Sequence, residues 1–237
     1  MTGLAAVYRR EVAGYFGQPV AYIVITAYLL MCGWFFTSGL FLIGQADVRG
    51  YLDVAPTILV FFAPALTMRL LAEEWRNGTM ELLLTLPVRD AEVVVGKYLA
   101  AFTVLVVAQV LTLAYPITVG LLGPVDIGTV VTGYLGLLLL GAAFLAVGVL
   151  ASALTSSQVV AFIVSFFVCF GLFLLGKSLP FLPTPLLPLF DYLAVDTHFA
   201  NLTKGVIDSR DVLYFLTIVL ICLAGTVHAL QGRKWGR

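Results

Sequence analysis

LTMRLLAEEWRNGTMELLLTLPVRDAE, residues 66–92, decides how this chain folds. It lies between two long apolar runs. It carries Arg69, Glu73, Glu74, Arg76, Glu81, Arg89, Asp90 and Glu92, eight of the 26 formally charged residues (13 Lys and Arg, 13 Asp and Glu). Burying one charge in hydrocarbon costs roughly 2.5–3.5 kcal/mol even on lenient insertion scales, so a block this dense belongs in water between two membrane spans. Within it, Thr79 can act as an N-cap, Glu81 follows in the first turn where the helix dipole favours an anion, and Pro87 stops the helix. The expected helix covers residues 80–86, and its Leu82, Leu83, Leu84 and Leu86 are too apolar to lie free in solvent. It should rest on the bilayer surface or on a partner. These residues alone fit an ordinary interfacial loop helix as well as a docking element.

The remaining composition agrees with a membrane chain. Hydrophobic residues make up 61% of the sequence and charged residues 11%, with a mean hydropathy of +1.06. Soluble domains average roughly 45–50% and 25%. A bilayer core about 30 Å thick needs about 20 apolar residues per helix, so 237 residues with short connections allow six spans. The expected fold is therefore an all-α polytopic membrane protein forming one transmembrane domain. The net charge is zero and no basic patch is present, which gives nucleic acid binding no support. Cys32, Cys169 and Cys222 each fall inside an apolar run with no CxxC spacing and read as small core residues.

Taken in order, Leu4, Tyr8, Val12 and Tyr15 recur at helical spacing and predict an interfacial helix over about residues 3–17. Arg9-Arg10 lacks the context of a twin-arginine signal, and this segment is expected to be retained. Spans are expected at about 20–43, 54–71, 93–122, 129–154, 159–176 and 212–230, with the coupling segment at about 73–90. Pro56 would fall harmlessly in the first turn of the second span, whereas Pro64 and Pro116 would bend the second and third. Lys97 is placed to snorkel at the start of the third. The fourth carries Gly133, Gly136, Gly141, Gly148 and Ser152; small residues let helix backbones approach closely, so it should pack tightly inside the bundle. Residues 177–210 form an outer segment. Pro180, Pro183, Pro185 and Pro188, set among Phe and Leu, make its first part too broken to span and too apolar to be a free loop, so it should lie in or dip into the outer leaflet. Asp208 and Asp211 are placed to cap the sixth span.

Lys and Arg set the orientation. With the charged block in the cytoplasm, Arg9, Arg10, Arg69, Arg76, Arg89, Lys97, Arg233, Lys234 and Arg237 lie inside, against Arg49, Lys177, Lys204 and Arg210 outside. That bias puts both termini inside, which an even number of spans permits.

Residues 171–178, GLFLLGKS, match the phosphate-binding GxxxxGK[ST] pattern literally. That loop works only between a strand and a helix, and here it would be the last turns of an apolar span facing outward. His198 and His228 are 30 residues apart with no carboxylate at ligand spacing beside either, so no metal site is expected. No Ser, His and Asp arrangement suggests nucleophilic catalysis.

EEWRNGTMELLLTLPV, residues 73–88, resembles the cytoplasmic segment between the second and third spans of ABC-2 type transporter permeases. The run GVLASALTSSQVVAF, residues 148–162, resembles the turn between their fourth and fifth spans. DTHFANLTKGVIDSRDVLYFL, residues 196–216, is similar to a narrower group within the family, the gliding-motility-associated permease subunits, through His198, Gly205, Asp208 and Asp211. The resemblance implies a coupling helix that docks on an ATPase, carried here by Glu73, Glu74, Arg76, Gly78, Thr79, Glu81, Leu83 and Pro87. It also implies a permease dimer, with a second copy or a related subunit, bearing two cytoplasmic ABC ATPase subunits that hold ATP and Mg. No cofactor is expected on this chain, which would not itself be an enzyme. The expected setting is the bacterial inner membrane and the expected direction export. Two alternatives remain open: a non-transporting anchor of a motility or envelope machine, and an ion-coupled carrier. The carrier reading lacks a mid-span acidic residue and an inverted repeat. The substrate is not legible.

Overall fold

The computed structural model describes residues 3–40, 48–79, 89–123, 126–178, 183 and 187–235. Among them there are helices and no strands. In chain order they are α1 (Gly3–Gly17), α2 (Pro19–Ser38), α3 (Arg49–Thr67), α4 (Ala72–Asn77), α5 (Asp90–Thr112), α6 (Ala114–Leu122), α7 (Ile127–Leu154), α8 (Gln158–Ser178), α9 (Leu187–Leu193), α10 (Val195–Thr203) and α11 (Ser209–Trp235). Six helical stretches are long and apolar enough to cross a bilayer: α2, α3 with α4, α5 with α6, α7, α8 and α11. The chain is an all-helical, multi-pass membrane protein.

The fourth span, α7, is the axis of the bundle. Of its most apolar stretch 78% is buried, against 22% in α8 and α11, and it packs against α3, α5, α8, α10 and α11. Its small residues explain this. A Cβ added at Gly133 would lie 2.5 Å from Leu52, at Gly141 2.6 Å from Leu105, and at Gly136 3.1 Å from Leu202. The closest approach is at Gly148, where the added Cβ would sit 1.9 Å from Thr67 Oγ1. Apolar helices gain little from hydrophobic association in lipid, so such contacts supply the packing that holds them together. Gly148→Leu is therefore expected to destabilise the bundle by about 1–3 kcal/mol or more. Gly171→Leu, on a face with nothing within 4 Å, serves as the control. Equal thermal unfolding of the two variants in detergent would contradict this packing account.

One expectation about prolines needs correction. The second span begins at Arg49, so Pro56 lies inside α3 together with Pro64 rather than in its first turn. In the third span the break falls at Leu113, one turn before Pro116, because proline removes the donor to the carbonyl four residues earlier and crowds it. That carbonyl, Thr112 O, accepts instead from the Tyr134 hydroxyl at 2.8 Å. Around it Tyr51 donates to Thr112 Oγ1 at 3.2 Å, and Gln109 Nε2 donates to the Tyr28 hydroxyl at 3.0 Å. This buried polar knot joins the first four spans where unpaired groups would be costly.

The first helix is docked on the third span. Val7 fits over Gly96, where an added Cβ would meet Val7 Cγ1 at 2.9 Å, and the Tyr8 and Thr103 hydroxyls are 2.9 Å apart. Where α7 starts, Asp126 accepts from Thr129 Oγ1 at 2.6 Å and from the Gly128 and Thr129 amides. These bonds, the Thr129 hydroxyl's first, hold its carboxyl below the usual carboxylate range.

Candidate functional site at the junction of spans two and three

After Thr67 the second span leaves regular helix for one turn and resumes as α4. Such a break exposes carbonyls and amides that must find partners. Two side chains from other helices supply them. Tyr15 of α1 donates to Leu66 O at 2.7 Å, and burial pushes its hydroxyl well above the usual tyrosine range, so it stays a donor. Ser152 of α7, 0% exposed, donates to Met68 O at 3.1 Å and accepts from the amides of Leu71 at 3.1 Å and Ala72 at 3.0 Å. It uses its full hydroxyl capacity on one irregular turn. Gly148, one turn earlier on α7, admits Thr67 beside it. The small residues of the fourth span thus position the break as well as pack the bundle.

The charges beyond the break are knit to two other helices. Lys97 of α5 was expected to snorkel toward water; it is instead 1% exposed. Its Nζ donates to Glu11 Oε1 of α1 at 2.8 Å and to Glu74 Oε1 of α4 at 2.9 Å. The correction has a physical reason: α1 and α4 close over the start of the third span and bring two carboxylates to a cation whose route to water they block. Nearby Arg69 donates to Gln18 Oε1 and pairs with Glu73 at 3.8 Å. Trp75 faces α11, with the Arg233 guanidinium 4.9 Å from its ring centroid. Arg233 also donates to Leu154 O, at the C-terminal end of α7. A polar cavity of about 260 Å³ between α1 and this junction is lined by Arg10, Gln18, Arg69, Glu73, Asn77 and Thr79, among others.

The other expected coupling residues are placed as follows. Arg76, Gly78 and Thr79 are exposed. Gly78 has φ +71°, the left-handed conformation that ends α4. The Thr79 hydroxyl lies 3.5 Å from Glu74 O as a donor. Glu81, Leu83, Pro87 and the helix expected over residues 80–86 lie outside the described residues. Gly78→Val meets no neighbour within 4 Å, yet it forces a β-branched residue into a left-handed turn at a cost of about 1–2 kcal/mol. The expected result is faster amide exchange at the end of α4 with membrane insertion intact; unchanged exchange would contradict the strain.

The opposite end of the bundle holds the outer-segment residues. Asp208 caps α11 by accepting from Arg210 N at 2.9 Å. Asp211, 3% exposed, does not cap. It turns inward to His198, whose Nδ1 is 2.6 Å from its Oδ1, and accepts from Asn201 Nδ2 at 3.1 Å. Sequence spacing placed no carboxylate beside His198; the fold does, by folding α10 back on α11 through Gly205 at φ +86°. Residues 171–178 are helical, and Lys177 pairs with Asp196 at 2.9 Å. Their amides therefore follow a helix and do not form a phosphate-binding loop.

Glu11, Tyr15 and Ser152 carry much of the junction, and sequence reasoning assigned none of them a role in it. Only the lysine inside an apolar run could have suggested a buried pair.

Residues 13–231, nearly the whole chain, match the family model described as ABC-2 family transporter protein. No curated protein matches the chain.

Proposed function

This chain belongs to the ABC-2 family of transporter proteins, and we propose that it is the membrane-spanning permease subunit of an ATP-driven exporter. In this reading two separate cytoplasmic ABC ATPases hold ATP and Mg, and each drives one permease chain of a dimer through residues 73–90. The charged block and both termini face the cytoplasm of a bacterial inner membrane, in keeping with the excess of Lys and Arg on that side. Likeness of residues 196–216 to the gliding-motility-associated subunits extends the reading to that group.

One observation carries the proposal: Lys97 binds α1, α4 and α5 together at the root of the coupling segment. A chain that receives force from outside needs a stiff connection at the point of entry, because a slack one would absorb the displacement. The Lys97 ion-pair cluster, the Ser152 cap and the Tyr15 bond tie this junction to α1 and to the third and fourth spans. Displacement of the segment that follows Gly78 then reaches several spans at once.

A photo-crosslinking residue at Thr79 or Arg76, introduced in the native membrane, tests the contact. The expected product is a covalent adduct with a nucleotide-binding ATPase, absent when the probe replaces exposed Tyr192 on the outer segment. Crosslinks confined to lipid at Thr79 and Arg76 would overturn the assignment.

A further inference from the structure

We propose that the polar cavity between α1 and the end of the second span binds a phosphoethanolamine headgroup, with its phosphate toward Arg10 and Arg69 and its ammonium toward Glu74. This inference does not rest on the coupling reading. The cavity is lined by three cations, Arg10, Arg69 and Lys97, and by three carboxylates, Glu11, Glu73 and Glu74. Equal numbers of each sign favour neither a simple anion nor a simple cation. They suit a zwitterion. Most of these charges answer one another: Lys97 holds Glu11 and one oxygen of Glu74, and Arg69 is paired with Glu73. Two groups of opposite sign are left over. Glu74 Oε2 is buried and has no hydrogen-bond partner among the described residues. An unsatisfied charged acceptor is costly, so a donor that enters beside it gains a charge-assisted bond. Arg10 is exposed and makes no ion pair among the described residues. Its guanidinium, with the unused N–H groups of Arg69, presents the forked donors that match a phosphate. A primary ammonium brings the N–H that Glu74 Oε2 lacks; a quaternary ammonium has none to give.

The position of the cavity points to a lipid as the source of that headgroup. Its lining comes from one end of three spans: Gln18 directly precedes α2, Arg69 follows the end of α3, and Lys97 lies within two turns of the start of α5. That level is the membrane–water interface, where headgroups lie. The lining runs from exposed Gln18, Asn77 and Thr79 to buried Tyr15 and Lys97, so the cavity opens at the surface and closes beneath it. Its volume of about 260 Å³ is below the roughly 300–1,000 Å³ of pockets that enclose a whole drug-sized ligand, which leaves room for a headgroup and none for acyl chains. Tyr22, one turn beyond Gln18 on α2 and 54% exposed, offers apolar surface outside the cavity on which a chain can lie.

The full chain in mild detergent is titrated with phosphatidylethanolamine, its N,N-dimethyl derivative, phosphatidylcholine and phosphatidylglycerol, and bound lipid is followed by native mass spectrometry. Phosphatidylethanolamine and the dimethyl derivative, which keeps one N–H at nearly the bulk of choline, are expected to bind about tenfold more tightly than the other two, the fold-change of one charge-assisted hydrogen bond. Arg10→Gln, at an exposed position, should weaken phosphatidylethanolamine and phosphatidylglycerol alike by about tenfold. Glu74→Gln should erase most of the preference for phosphatidylethanolamine over phosphatidylcholine. If Glu74→Gln does not fold, the step between the dimethyl derivative and phosphatidylcholine in the parent decides the same point. Competition with glycerophosphoethanolamine separates the sources: displacement only at large excess identifies the membrane lipid, and displacement at equal concentration identifies a soluble phosphoethanolamine compound. Equal affinity for phosphatidylethanolamine and phosphatidylcholine in the parent, or unchanged phosphatidylethanolamine affinity in Arg10→Gln, would overturn the site.

Discussion

Lys97→Met is expected to destabilise the protein by about 3–5 kcal/mol, the typical effect of removing one partner from a buried ion pair. Lys97 is the only cation among the described residues within pairing distance of both Glu11 and Glu74, so its loss leaves two carboxylates at one enclosed site. Like charges that lose a shared counter-ion repel, which loosens α1 from α4. The sign is tested by adding Glu11→Gln and Glu74→Gln, which should recover much of the loss because a neutral site no longer needs the cation. Denaturant unfolding in mild detergent measures the effect. A single variant as stable as the parent would mean that α1 and α4 are held by packing alone.

The second large effect is expected at Ser152. Ser152→Ala removes one oxygen and leaves the Leu71 and Ala72 amides buried without their acceptor, at a cost of about 1–3 kcal/mol for each. The change is nearly isosteric, so packing against Thr67 should survive. Amide exchange is therefore expected to rise at the start of α4 while the rest of α7 stays protected. Uniform loosening of α7 would identify Ser152 as a packing residue only. No change at α4 would mean that the amides find another partner.

The architecture was legible because it rests on signals that survive without tertiary contacts. Apolar runs of span length, a dense charged block and the proline positions all act locally. Small residues in the fourth span pointed to close packing, and the structure gives each its neighbour. What could not be read were pairings across long sequence separations. Lys97 in an apolar run looks like a snorkelling residue until α1 and α4 are seen to cover it. Asp211 looks like part of a helix cap until α10 folds back and presents His198. Ser152 looks like one more small residue until the break in the second span is set against it. Pro56 was misplaced for a simpler reason: the polar residues Arg49 and Asp53 disguised the first five residues of the helix, 49–53, as a loop.

The central claim is that the chain is the membrane half of an ATP-driven machine and receives its drive through residues 73–90. The most direct measurement is purification from the native membrane in mild detergent, with quantitative identification of what accompanies the chain. An equimolar nucleotide-binding ATPase, retained by the parent and lost when residues 78–87 are replaced, is the predicted result. A chain that emerges without any ATPase, even after gentle crosslinking, would contradict it.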